Sequence, residues 1–418
     1  MSLIKFFSSY YIRKSLPIKN LAFFSTTPLP AQEERGARKT SLFDFHVARG
    51  GKIVNFAGYL LPVQYSDQGI ATSHIHTRTP GCASIFDVSH MLQTYLTGKD
   101  AIECFESITT ADIRELSDRN GTLTVFTNDK GGILDDLIVN RVNSEFLYVV
   151  SNAARKDHDS QLIRNTVDNF REQKGKSVSV RFFDTKERAL LALQGPASAA
   201  ALQTLTKVDL NQLYFMTTTE AEIAGVKDCR ITRCGYTGED GFEISILGDK
   251  ASFIAEALLD VKTANVKLAG LGARDSLRLE AGMCLYGSDI DTTTTPIEAG
   301  LAWLVGKRRR TEKKFPGAEI IMDQLKNGVT RRRVGIRMLT GPPARHGVGI
   351  YSNGEMIGEI TSGCPSPSLS GNVAMGYVKE EFKKSDTPVE LKIRDKFFEA
   401  KISKMPFTKS NYYQKTKQ

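Results

Sequence analysis

Two neighbouring carboxylates interrupt an otherwise apolar run at Gly132-Ile-Leu-Asp-Asp-Leu-Ile-Val139. Acids in such a setting can do proton-transfer work. Successive side chains of a strand face opposite sides, so only one of Asp135 and Asp136 can enter a given pocket. A carboxylate buried there is costly unless it is hydrogen-bonded or paired. The plainer alternative is a strand end with both acids in water. A third acid, Glu243, stands between Phe242 and Ile244 in Thr232-Arg-Cys-Gly-Tyr-Thr-Gly-Glu-Asp-Gly-Phe-Glu-Ile-Ser245, a glycine-punctuated turn running into a strand. It points away from the face that buries its two neighbours, toward either solvent or a polar pocket. The residues alone leave both open.

Arg274 and Arg278, in Gly270-Leu-Gly-Ala-Arg-Asp-Ser-Leu-Arg-Leu-Glu-Ala-Gly-Met-Cys-Leu-Tyr-Gly287, lie one helical turn apart and share a face. A cation near a helix start opposes the helix dipole, which hints at another partner. An exposed, ion-paired helix is the ordinary reading. The last such segment is Lys404-Met-Pro-Phe-Thr-Lys-Ser-Asn-Tyr-Tyr413, whose aromatic side chains imply a tail docked on the body.

Other motifs point away from common chemistries. Gly270-Leu-Gly272 lacks a third glycine in register and no GxxxxGK[ST] run occurs, so neither a dinucleotide fold nor the commonest ATP loop is indicated. His74-Ile-His76 could offer two metal ligands from one strand, but no carboxylate or cysteine set accompanies it. Surface histidines and no metal are the expectation. The six cysteines are scattered without a CxxC pair, as suits small buried hydrophobes or unreactive surface thiols in a reducing compartment. Lys307-Arg-Arg-Arg310 and Arg331-Arg-Arg333 lack interleaved aromatics, which argues against nucleic acid. They read as a solvated basic face, or as a place for an acidic partner or an anionic ligand tail.

These residues must be positioned by a mixture of strands and helices. Strand patterns cover Thr122–Phe126, Phe146–Val150, Ala189–Leu193 and Phe242–Leu247, and helical patterns cover Lys99–Ile108 and Asp275–Cys284. Asn128-Asp-Lys-Gly-Gly132 reads as a hairpin loop and Ser352-Asn-Gly-Glu355 as a tight hairpin turn. The pattern is α+β rather than a regular βαβ wind. Texture changes near Lys307–Gly328, which predicts a linker near 310–330 and then an all-β unit of about 90 residues.

With 418 residues, 41% apolar and 25% charged, the chain can bury two or three cores. No apolar run nears the roughly 20 residues needed to span a bilayer, so no membrane role is expected. The first 32 residues hold Lys5, Arg13, Lys14 and Lys19 and no acid, a mitochondrial import pattern. Cleavage near residues 25–32 would remove four of the cations behind the net charge of +9.

Taken together, these segments resemble the aminomethyltransferase (T protein) family of the glycine cleavage system. Further matches are Phe45-His-Val-Ala-Arg-Gly-Gly-Lys-Ile-Val-Asn-Phe-Ala-Gly58, Phe86-Asp-Val-Ser-His-Met91, Leu193-Gln-Gly-Pro196 and Thr361-Ser-Gly-Cys-Pro-Ser-Pro-Ser368, in order from about Ser41 to Tyr413. The resemblance implies two mixed α/β, ferredoxin-like units in residues 40–305 and a C-terminal β-barrel in 325–413, around a central folate channel. It implies tetrahydrofolate as co-substrate, no flavin, and the lipoyl-bearing H protein as partner. A carbon would pass from the aminomethyl-lipoyl arm to tetrahydrofolate with release of ammonia.

By the same resemblance Asp136 is the catalytic acid and Glu243 the acceptor for the pterin's adjacent ring N–H and amino group, a geometrically exacting pair. Arg274 adds cofactor contacts, Tyr412 closes from the tail, and Tyr236, Asn152 and Met91 fall at cofactor-binding positions. Leu123 replaces a tyrosine that some bacterial relatives carry before the hairpin. Two other readings compete: a folate domain like those fused to flavin-dependent amine dehydrogenases, and a folate-binding iron–sulfur assembly factor without transferase activity.

Overall fold

The computed structural model describes residues 36–173 and 175–415, so the import pattern at residues 1–32 lies outside the described residues. The first half of the body is a five-stranded antiparallel sheet, in the order Asn120–Thr127, Ile133–Asn143, Phe146–Ser151, Leu92–Thr97, Ser179–Phe183. Helices Ala101–Glu106 and Lys156–Glu172 cover one face, burying Phe105, Ile163, Val167 and Phe170 against Val139, Leu147 and Val149. The second half is a six-stranded sheet centred on Arg188–Gln194 and Gly241–Leu247. Alternation divides the loyalties of its middle strand: Leu191 and Leu193 pack under helix Ala251–Leu259, whereas Leu190 and Ala192 meet Tyr148 and Val150 of the first sheet.

Helix Leu271–Glu280 stands between these sheets and the C-terminal unit. Ala273 and Leu277 pack on the sheets, and Leu279 packs on Cys364, Val373 and Met375. The helical pattern at Asp275–Cys284 is thus displaced: the helix starts after Gly270 and ends before Gly282, whose φ of +71° is a left-handed stop. The C-terminal unit is a closed six-stranded barrel running from Arg331 to Ser403, with Val334, Ile336, Leu391 and Ile402 inside. Closure leaves no unpaired strand edge. The Ser352–Glu355 hairpin lies within it, as its Asn-Gly pair predicts.

The expected linker is not one. Residues 307–328 form helices Lys307–Glu312 and Ala318–Asn327, and Phe315, Ala318 and Ile321 pack with Ile297 and Val305. Nor are the basic clusters a solvated face. Arg309 is 2% exposed. Arg308 contacts Glu106, Asp112 and Glu312, while Arg331 and Arg332 pair with Glu298 and Glu380. His74-Ile-His76 lies on helix Ile70–Arg78 rather than on a strand. His74 is fully buried, at 2.8 Å from Ser276 and 3.0 Å from Glu280, not at the surface. All six cysteines are free and buried. No helix among the described residues is long and apolar enough to cross a membrane.

Candidate active site

A cavity of about 1020 Å³ opens where the two sheets, the barrel and the tail meet. Asp136, Asn152, Glu243 and Arg274 line it, together with Tyr236, Met91 and Tyr412. Seven side chains singled out in the sequence therefore share one chamber. Leu123 lines it as well.

Strand alternation separates the two acids. Asp136 faces the cavity, whereas Asp135 is 0% exposed and turned inward, so neither sits at a strand end in water. Asn152, just beyond strand Phe146–Ser151, ties them together. Its Nδ2 donates to Asp136 Oδ1 at 2.9 Å and to Asp135 Oδ1 at 3.0 Å, and its backbone N–H donates to Asp135 Oδ2 at 3.0 Å. Burial, and then the charge of Asp135, push the Asp136 carboxyl up to about 7, although the bond from Asn152 opposes this. An acid poised near neutrality is suited to taking or giving a proton.

Glu243 and Arg274 form the opposite character of the chamber. Glu243 points away from Phe242 and Ile244, which are buried in the sheet core, so its second face is a polar pocket. Burial raises its carboxyl above the ordinary value, and Arg274 and the Cys234 thiol draw it back. Arg274 lies over the Tyr236 ring, 4.8 Å from its centroid, and its Nη1 is buried without a hydrogen-bond partner. A native protein rarely leaves such a donor unused, which makes this guanidinium a candidate ligand contact. The Tyr236 hydroxyl donates to the Cys284 carbonyl. Arg278 does not join its helical neighbour. It is buried on Asp289 at 2.6 Å and Asp275 at 2.8 Å, so the helix is ion-paired but not exposed there.

The tail is docked. Phe215 stacks on Tyr412 with centroids 4.1 Å apart, and Arg233 lies 4.0 Å over the Tyr413 ring. Asn411 N–H donates to the carbonyl of Gly238, and Asn411 Nδ2 donates to Glu239 at 2.9 Å. A side chain at Gly235 would meet Gln194 Oε1 at 1.9 Å, so anything larger there must displace a buried amide that the Cys234 carbonyl and Thr237 hold.

Sequence reasoning missed Phe215, for which no local signal exists, and His90. Burial, and then Arg274, hold His90 down to about 3, so it is a neutral imidazole on the cavity wall with Nδ1 unpartnered. Its place in the Phe86–Met91 motif was the available sign. Among the described residues no group of three His, Cys, Asp or Glu side chains is placed to hold a metal.

Two α/β halves and a barrel close on one chamber that holds an acid raised toward neutrality and an unpaired guanidinium beside a glutamate, the features of a candidate catalytic pocket. The GCVT N-terminal domain matches residues 42–309, and the glycine cleavage T-protein C-terminal barrel domain matches 331–409. The chain belongs to the glycine cleavage T-protein family. The mitochondrial aminomethyltransferases of Homo sapiens and Mus musculus are 52% and 51% identical to it over 90% of this chain and 91% of theirs. That of Solanum tuberosum is 49% identical over the same shares. The crystal structure of the glycine cleavage system aminomethyltransferase T from Bartonella henselae superposes with a TM-score of 0.83 at 37% identity, covering 90% of this chain and 99% of that one.

Proposed function

We propose that the central cavity is where this chain performs its family's reaction, with Glu243, Arg274 and Asp136 as the working groups. The chain is a mitochondrial aminomethyltransferase of the glycine cleavage system. The methylene carbon passes from the aminomethyl-lipoyl arm of the H protein to tetrahydrofolate, leaving 5,10-methylenetetrahydrofolate, ammonia and the dihydrolipoyl arm. Residues 40–305 form the catalytic region and 325–413 the barrel domain. The observation that carries the assignment is the gathering in one chamber of Asp136, Glu243 and the unpartnered Nη1 of Arg274.

Tetrahydrofolate supplies the nitrogens that receive the carbon. Glu243 accepts the ring N–H and amino group side by side, which favours its ionised form. Arg274 Nη1 donates to a ring acceptor, while Tyr236, Met91 and Tyr412 close on the flat faces. Asp136, held by Asn152, orients the reacting nitrogen and moves a proton as ammonia departs. Positioning is the larger contribution, since two bulky substrates must meet in one geometry. The two competing readings have no observation in their favour.

The test is ammonia release from aminomethyl-loaded carrier, with and without tetrahydrofolate. Rapid folate-dependent release is expected; folate binding without release would reduce the chain to a binding protein. Calorimetry on Glu243→Ala should show tetrahydrofolate affinity falling by ~2–4 kcal/mol, roughly 30- to 1000-fold, because the ring N–H groups lose a buried charged acceptor. Tyr412→Ala should raise the KM for tetrahydrofolate by about tenfold, and loss of its stack on Phe215 should cost about 1 kcal/mol of stability.

A further inference from the structure

The tail is held near its end by groups that the reaction as described does not use. Its approach is tied by the Phe407 and Thr408 N–H groups, which donate to the Glu280 carbonyl at 2.8 and 3.3 Å. The next fixed point is Asn411, immediately before Tyr412. Its N–H donates to the Gly238 carbonyl at 2.8 Å, and its Nδ2 donates to Glu239 Oε2 at 2.9 Å. Two successive residues thus take both donors, and they belong to the segment that presents Cys234 and Tyr236 to the cavity.

Glu239 is 3% exposed, and a carboxylate so buried needs a partner. Arg78, the last residue of helix Ile70–Arg78, supplies it. Its Nη1 donates to Glu239 Oε1 at 2.8 Å, while its Nε donates to Glu280 Oε2 at 3.2 Å. A guanidinium is a rigid fork, so the grip on Glu280 aims the other prong at Glu239. Oε1 is thereby occupied, and Oε2 is left to the tail.

We propose that Glu239 and Asn411 form a latch that sets Tyr412 in place at the cavity, which makes both of them positioning residues for tetrahydrofolate. The inference rests on the cavity being the transferase site and on Tyr412 closing over folate there.

Tyr412 has contacts of its own, since it stacks on Phe215, whose N–H donates to the Tyr413 carbonyl at 2.7 Å. Stacked rings tolerate sliding over one another, whereas directed hydrogen bonds do not. The stack therefore sets how far the ring stands from the wall, and the two bonds of Asn411 set where along the wall it stands. The bond to Glu239 is the stronger of the two, because its acceptor is charged. The latch touches no folate atom, so its loss reaches the substrate only through Tyr412 and cannot exceed the loss of Tyr412 itself.

Asn411→Ala should raise the KM for tetrahydrofolate by about fivefold with little change in kcat, short of the roughly tenfold rise expected of Tyr412→Ala. In the Tyr412→Ala background the same substitution should change KM by less than about twofold, because the group it positions is gone. A merely structural loosening would act equally in both backgrounds. Asn411→Asp sets one carboxylate against another and should raise KM about tenfold. Adding Glu239→Gln should bring KM back to within about twofold of the wild type, since the amide can keep its oxygen on Arg78 and donate to the new carboxylate. Amide hydrogen exchange reads the latch without folate: the Phe215 N–H should exchange faster in Asn411→Ala. Unchanged exchange, equal KM effects with and without Tyr412, or no recovery in the double variant overturns the proposal. A KM unmoved in Tyr412→Ala would instead overturn the folate contact on which the latch depends.

Discussion

Asp136→Asn is expected to lower folate-dependent ammonia release by roughly 10²- to 10⁴-fold, the usual span for losing a positioned acid or base. Tetrahydrofolate affinity should change little, because the proposed ring contacts are those of Glu243 and Arg274 rather than of Asp136. The asparagine keeps the shape and can still meet Asn152, but it cannot take up or release a proton. The pH profile checks the cause separately from the rate. In the wild type a limb should fall near pH 7, where burial and Asp135 place the Asp136 carboxyl. In the variant that limb should vanish. Full turnover in Asp136→Asn would defeat the assignment, and Asp135 would become the candidate.

The second large effect concerns stability. Arg278→Met should cost about 3–5 kcal/mol, read as a fall in the denaturation midpoint, because it strands a buried charge. Asp289 is 1% exposed, and burial alone would raise its carboxyl; Arg278, with Thr361 and the Leu285 N–H, holds it below the ordinary range instead. Arg278 also donates to Ser362 of the barrel at 3.0 Å and to the Met283 carbonyl at 3.1 Å, so it pins barrel and cavity loop to one helix. Adding Asp289→Asn to Arg278→Met should restore much of the loss, since the orphaned charge is then gone. A double variant no more stable than Arg278→Met would mean that packing, not charge, supports the joint.

Much of the scaffold was legible because it is written locally. Ala189–Leu193 alternates between two apolar faces, and the structure buries each in a different core. The loops at Asn128–Gly132 and Asn353–Gly354 join strands as their glycines require. Residues 307–328 were misread because their polar side chains look solvated until partners appear. Arg308 finds Glu106 at a separation of 202 residues. His74 reaches Ser368 across 294.

By itself the sequence determined the strand and turn periodicities, the family to which the chain belongs, and that one of Asp135 and Asp136 must face each way. Tertiary structure alone decided which of them enters the cavity, that Arg274 is left unpaired while Arg278 is spent on Asp289, and that an aromatic tail meets Phe215. The reason is physical. Periodicity tells which residues share a face, because that follows from backbone geometry between near neighbours. What a charge does depends on the dielectric around it and on partners brought from distant segments, and neither exists until the chain has folded.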